Sequence, residues 1–242
     1  MGLGHMKNPY GVSFLLCLLA MMPAHQVLAQ DWSAEATFVN DYVDRGISNS
    51  GGQPALQVGL AHAIGNGFSV GGWASTIGDG PGNNWSELDF YAAKGWQIGD
   101  ADVELAATWI GYPGAPADCD ANMWEFSAVL QQPVTDHGMV GIIAIATPDN
   151  GGHAGDALYL ALETEWHLDD NFALFGHVGR QWNQREDRAG PDYNEWAAGI
   201  AYSINTVSLA LTFSDTPGLA KADCPGPCGK RLVASIAWQP EW

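Results

Sequence analysis

Acidic side chains at every second position are the most plentiful chemistry in this sequence. Glu87 and Asp89, Asp102 and Glu104, and Glu163 and Glu165 form such pairs, and Glu35, Asp41, Glu125 and Glu195 stand in similar alternating stretches. A spacing of two places both members on one face of a strand. A face of this kind, enclosed by low-dielectric walls, focuses negative potential, draws cations and repels anions. Few bases answer it, chiefly Lys94, Arg180 and Arg231. Arg45, between Asp41, Asp44 and a Gly-Ile-Ser turn, can pair with a carboxylate and brace its loop, or line a constriction that meets anionic groups; bracing is the expectation.

Other reactive types are scattered. Asp149-Asn-Gly-Gly-His-Ala-Gly-Asp156 has oxygen ligands and glycines suited to calcium, but not the spacing of an EF-hand, so an acidic surface loop is expected. His62 and His177 are candidates for acyl chemistry, yet neither has a nucleophile and a carboxylate near it in a recognisable motif. No enzyme activity, metal site or cofactor is expected. Cys224 can close on Cys228 or either can pair with Cys119, and one thiol of the three is left over. Two thiols without a nearby histidine are too few for a zinc shell.

The elements that must position these groups begin after residue 29. Lys7, the apolar run Val12 to Met22 and Val27-Leu28-Ala29 are the charged, hydrophobic and cleavage regions of a secretory signal over residues 1–29, whether the start is Met1 or Met6. The run is about half the ~20 residues of a spanning helix. Removing it takes away one lysine and no acid from a chain of net charge −18. Such a chain does not bind nucleic acid. The remaining residues, 30–242, read as one domain.

Alternation and turn residues predict twelve strands: Ser33–Val43, Ala55–Ala63, Phe68–Ser75, Glu87–Trp96, Ala101–Tyr112, Met123–Gln131, Met139–Thr147, Ala157–His167, Phe172–Trp182, Glu195–Ile204, Val207–Ser214 and Arg231–Gln239. No window carries a helical stripe. Connections alternate strictly between short, as at Gly65-Asn66-Gly67 and Asn205-Thr206, and long, as at Asp44–Pro54 and Asp215–Lys230. Strands running up and down then gather all short turns at one end and all long loops at the other, the asymmetry of outer-membrane barrels. One strand face collects Leu88/Phe90, Leu158/Leu160/Leu162 and Leu209/Leu211/Phe213, and the other the carboxylates. Alternation alone leaves open which face points inward. Trp32, Trp96, Trp109, Trp124, Trp166, Trp182, Trp196 and Trp238 near strand ends match interfacial girdles and favour the membrane polarity. The expected fold is all-β, an antiparallel up-and-down transmembrane β-barrel of twelve strands. Trp242 supplies a terminal aromatic, although Pro240 interrupts the last strand.

A motif adds to this reading. Asp41-Tyr42, Arg45-Gly46-Ile47-Ser48, Pro54-Ala55-Leu56-Gln57, Gly59, Gly67-Phe68 and Gly72-Trp73-Ala74-Ser75 follow one another in order, then Glu87-Leu88-Asp89-Phe90-Tyr91. The stretch resembles the TorF-type porin family, also called the Gcw_chp proteins. The resemblance implies a barrel in the outer membrane of a Gram-negative bacterium. Beyond Tyr91 only strand pattern and length agree.

The function expected is passive, cation-preferring diffusion of small solutes through a lumen lined by Glu35, Asp41, Arg45, Glu87, Asp89, Asp102, Glu104, Glu125, Glu163, Glu165 and Glu195. The expected partners are outer-membrane lipid, the barrel-insertion machinery during biogenesis, and small cations. A closed structural or adhesive barrel is the alternative, since a bore of this strand number can be plugged by side chains or a folded-in loop. An outer-membrane lipid-modifying enzyme ranks below both.

Overall fold

A computed structural model describes residues 32–78, 86–115 and 120–240. The signal sequence, Cys119 and Trp242 lie outside these residues.

Alternating residues build a wall in chain order. Strand β1 (Trp32–Val39) is followed by two short strands inside the bore, β2 (Val43–Asp44) and β3 (Ile47–Ser48). The wall resumes with β4 (Ala55–Gly65), β5 (Phe68–Thr76), β6 (Ser86–Ile98), β7 (Ala101–Gly111), β8 (Met123–Thr135), β9 (Gly138–Thr147), β10 (Ala157–His167) and β11 (Phe172–Asn183). A one-turn helix α1 (Glu186–Ala189) precedes β12 (Tyr193–Ile204), β13 (Val207–Asp215) and β14 (Arg231–Trp238). Each wall strand pairs antiparallel with its sequence neighbours, and β14 returns to β1, giving a closed barrel of twelve strands. The expected fold class and the alternation of connections hold. Asn66 and Gly67 take the positive φ values, 53° and 76°, that a tight hairpin demands. At another short turn, Asp169 Oδ1 accepts the amides of Asn171 and Phe172, both at 2.8 Å, and these bonds hold its carboxyl below the usual range.

The polarity is that of a lipid-facing barrel. Leu56, Phe90, Leu105, Phe126, Leu162 and Leu209 point outward and exposed, while Glu87, Asp89, Glu125 and Glu195 are buried inside. A continuous apolar exterior around a polar interior is stable against hydrocarbon and not against water. Outward tryptophans form two bands, Trp32, Trp96, Trp166 and Trp238 at the short-turn end and Trp109, Trp124, Trp182 and Trp196 at the other.

The wall corrects three expectations. Lys94 and Arg180 share the outward faces of β6 and β11, not the lumen. Lys94 Nζ lies 4.4 Å from the Phe68 ring centre and donates to the Asn66 carbonyl, and Arg180 Cζ lies 5.2 Å from the Trp182 ring centre. Both stems run over apolar surface and bring their charge to an interface. The first strand also ends earlier than its alternation suggests. After Val39 the chain leaves the wall, and Tyr42 and Val43 pack inside on Ala55, Trp73 and Val233. Burial against these side chains outweighs four more residues of ladder at the rim.

The closing seam is short. Four positions pair β1 with β14, Ala36 with Trp238 through Val39 with Ser235, whereas eleven pair β10 with β11. Asn40 extends the seam with its side chain: Nδ2 donates to the Leu232 carbonyl at 3.3 Å and Oδ1 accepts the Ala234 amide at 2.7 Å.

Candidate functional site

The segment from Asn40 to Pro54 turns into the bore instead of away from it. Arg45 takes φ 46° at the tip of the β2–β3 hairpin, and Gly46 follows at φ 79°. A Cβ on Gly46 would stand 2.5 Å from Thr216 Cγ2 and 2.9 Å from Glu195 Cβ, so only glycine fits between the hairpin and the wall.

From this tip Arg45 reaches across to β8. Its Nη2 donates to Glu125 Oε1 at 2.8 Å and to Oε2 at 2.7 Å, its Nε lies 3.6 Å from Asp44 Oδ2, and its guanidinium lies 5.4 Å from the centre of the Tyr159 ring. Thr147 Oγ1 donates to the same Glu125 at 2.9 Å. Tyr159 Oη donates to Glu195 Oε1 at 2.6 Å, and His177 Nε2 meets Glu195 Oε2 at 2.8 Å. On the other side Tyr42 Oη donates to Glu87 at 3.0 Å, and its ring sits edge-on to Trp73 with centres 5.5 Å apart. Burial raises the Tyr42 phenol well above its usual value, so it stays a donor. Asp41 accepts from Ser48 Oγ at 2.5 Å and Ser50 Oγ at 3.1 Å and pairs with Arg231. Ser48 N bonds the Pro227 carbonyl at 2.9 Å, which ties the hairpin to the last long loop, itself closed by the Cys224–Cys228 disulfide.

Electrostatics make the cluster tense. Asp41, Asp44, Glu87, Asp89, Glu125 and Glu195 face two inward arginines, Arg45 and Arg231. Asp89 is fully buried and neither of its oxygens has a hydrogen-bond partner among the described residues. Burial pushes the Asp44 carboxyl up to about 6; Arg45 opposes this, while Glu125 and Glu195 add to it.

The expected lining residues therefore divide. Asp41, Arg45, Glu87, Asp89, Glu125 and Glu195 gather around the hairpin, Asp41 on the loop and not on a strand. Glu35, Asp102, Glu104, Glu163 and Glu165 also face inward but lie nearer the short turns. There Glu35 accepts from Gln239 at 2.6 Å, Glu163 from Gln131 at 3.0 Å, and Glu165 meets His167 at 2.9 Å. The sequence raises pairing of Arg45 with a neighbouring carboxylate, which Asp44 meets; it does not single out Tyr42, Thr147 or Tyr159 for the site. Tyr159 had a signal: it is a large aromatic between Ala157 and Ala161 on the inward face.

The histidines do not converge. His62 lies on the outward face of β4 and stacks on Trp32 at 4.4 Å, and His177 Nδ1 has no hydrogen-bond partner among the described residues. In the outer loops His153 bridges Asp149 at 3.2 Å and Asp120 at 3.4 Å, all three exposed.

Solved structures of outer-membrane porins and channels share the barrel fold. The KdgM porin, solved in complex with disordered oligogalacturonate, superposes with a TM-score of 0.56 at 7% identity, over 86% of this chain and 98% of its own. The NanC porin gives 0.57 at 9%, over 87% and 100%. The COG4313 outer membrane channel from Pseudomonas putida F1 gives 0.55 at 9%, over 87% and 95%. A comparison with curated proteins returns no match. Residues 26–233 match Gcw_chp, described as a bacterial protein of unknown function, and the chain belongs to that family.

Proposed function

We propose that the protein is an outer-membrane channel of porin type, exported by a signal peptide over residues 1–29 and inserted by the barrel machinery, that passes small cationic solutes by diffusion. One observation carries this reading: the inward carboxylates outnumber the inward arginines, and both arginines are already paired, Arg45 with Glu125 and Arg231 with Asp41. An enclosed bore with that imbalance favours cations. It disfavours polyanions such as the oligogalacturonate in the KdgM complex.

A second reading, a closed structural barrel, is favoured by the bonds that tie the folded-in loop to β6, β8 and β14 and seat it against β12. Single-channel recording of refolded protein under a salt gradient separates the two. Discrete conductance with a cation-selective reversal potential is expected; anion selectivity overturns the acidic-lumen reading, and a silent bilayer supports the closed barrel.

A further inference from the structure

Above the Arg45–Glu125 pair, among the long loops, lies a cavity of about 670 Å³. Small-molecule sites measure roughly 300–1,000 Å³. Three phenols line it: Tyr42 from the hairpin, Tyr112 after β7 and Tyr193 at the start of β12. Its acidic wall groups are Asp44, Glu87 and Glu125. Both arginines on the wall have partners within it: Arg45 is paired with Glu125 and Asp44, and Arg188 donates to the Gly152 carbonyl at 2.9 Å.

Two buried oxygens of the wall lack a donor among the described residues. Asn183 Nδ2 is held by the Gly190 carbonyl at 3.1 Å, which leaves Asn183 Oδ1 to accept Gln181 Nε2 at 3.1 Å. That chain fixes the Gln181 amide with its Oε1 away from Asn183, and this oxygen has no donor among the described residues, although Gln181 is only 5% exposed and lines the cavity. Asp44 Oδ1 has none either. An occupant that complements this wall brings N–H and O–H groups, carries positive charge, and presents a surface to phenol rings.

We infer that the cavity binds a hydroxylated primary amine of about monosaccharide size. An ammonium group supplies charge and donors together, and hydroxyls suit the amide-rich wall of Asn49, Asn150, Gln181 and Asn183. A quaternary amine brings no donor, a neutral sugar no charge, and a polyanion meets repulsion. The inference deepens the channel reading and rests on it for calling the ligand a solute.

Equilibrium dialysis of the refolded full barrel against radiolabelled glucosamine, glucose and N-acetylglucosamine tests it. Glucosamine is expected to bind saturably and about tenfold or more tightly than the other two. Asp44→Asn removes that preference, and Gln181→Leu, which lies off the folded-in loop, weakens glucosamine binding while the barrel keeps its folded electrophoretic mobility. Equal affinity for the three sugars, or no saturable glucosamine binding by folded protein, overturns the inference. Recording current from the same preparation separates the two readings. Cation-selective conductance without glucosamine binding removes this inference alone, and glucosamine binding in a silent barrel removes the channel reading alone.

Discussion

Arg45 and Glu125 are the residues on which the interior depends most. Their side chains are 11% and 4% exposed, so removing one strands the other's charge away from water. Breaking a buried pair from one side costs about 3–5 kcal/mol. Arg45→Ala is therefore expected to lower the urea midpoint of tryptophan-monitored unfolding, and Arg45→Ala with Glu125→Gln to recover part of the loss. Asp44 gives the pH response. Its folded value of about 6 lies above the 3.8 of a free carboxyl, so protonation favours the docked loop. That contribution is complete below about 3.8 and is lost as pH rises through about 6. Acidifying from pH 7 to 5 should firm the loop as Asp44 takes up a proton, lowering the cation-to-anion permeability ratio from reversal potentials. Asp44→Asn should reduce the change within that window. Sequence alone named Arg45 and raised its bracing role, but its partner stands eighty residues away across the bore. No local pattern reports such a meeting.

The folded-in hairpin is the element that turns a plain barrel into one with a constriction. Gly46 is its weak point, because a side chain there meets Thr216 and Glu195 and the backbone already sits at positive φ. Gly46→Ala is expected to undock the hairpin at a cost of about 1–3 kcal/mol while leaving the wall intact. The check is a rise in single-channel conductance with unchanged strand content by circular dichroism. The long polar loop itself was legible from its Gly, Ser, Asn and Gln. Its inward path was not, since Tyr42 and Val43 continue the alternation of β1 and only contact with Trp73 and Val233 draws them off the wall.

Across the whole molecule, period-two patterning and the alternation of short and long connections were enough for all twelve wall strands. The aromatic bands then gave the polarity. Lys94 and Arg180 are the exceptions: their charge suggests the lumen, but parity along β6 and β11 puts both outside. The seam between β1 and β14 has a consequence in time. Every other junction joins neighbours in the chain, but this one joins Asn40 to residues more than 190 positions away. Closing so long a loop is slow, because its entropy is lost before the contacts form. The wall is thus expected to grow as a curling strip whose two edges meet last, through four paired positions, the Asn40 N–H to the Ala234 carbonyl at 3.1 Å, and the Asn40 side chain. Asn40→Ala should lengthen the interval in which they stand apart, seen as slower acquisition of the heat-resistant folded form and faster amide exchange at Ala234, with exchange along β10 and β11 unchanged.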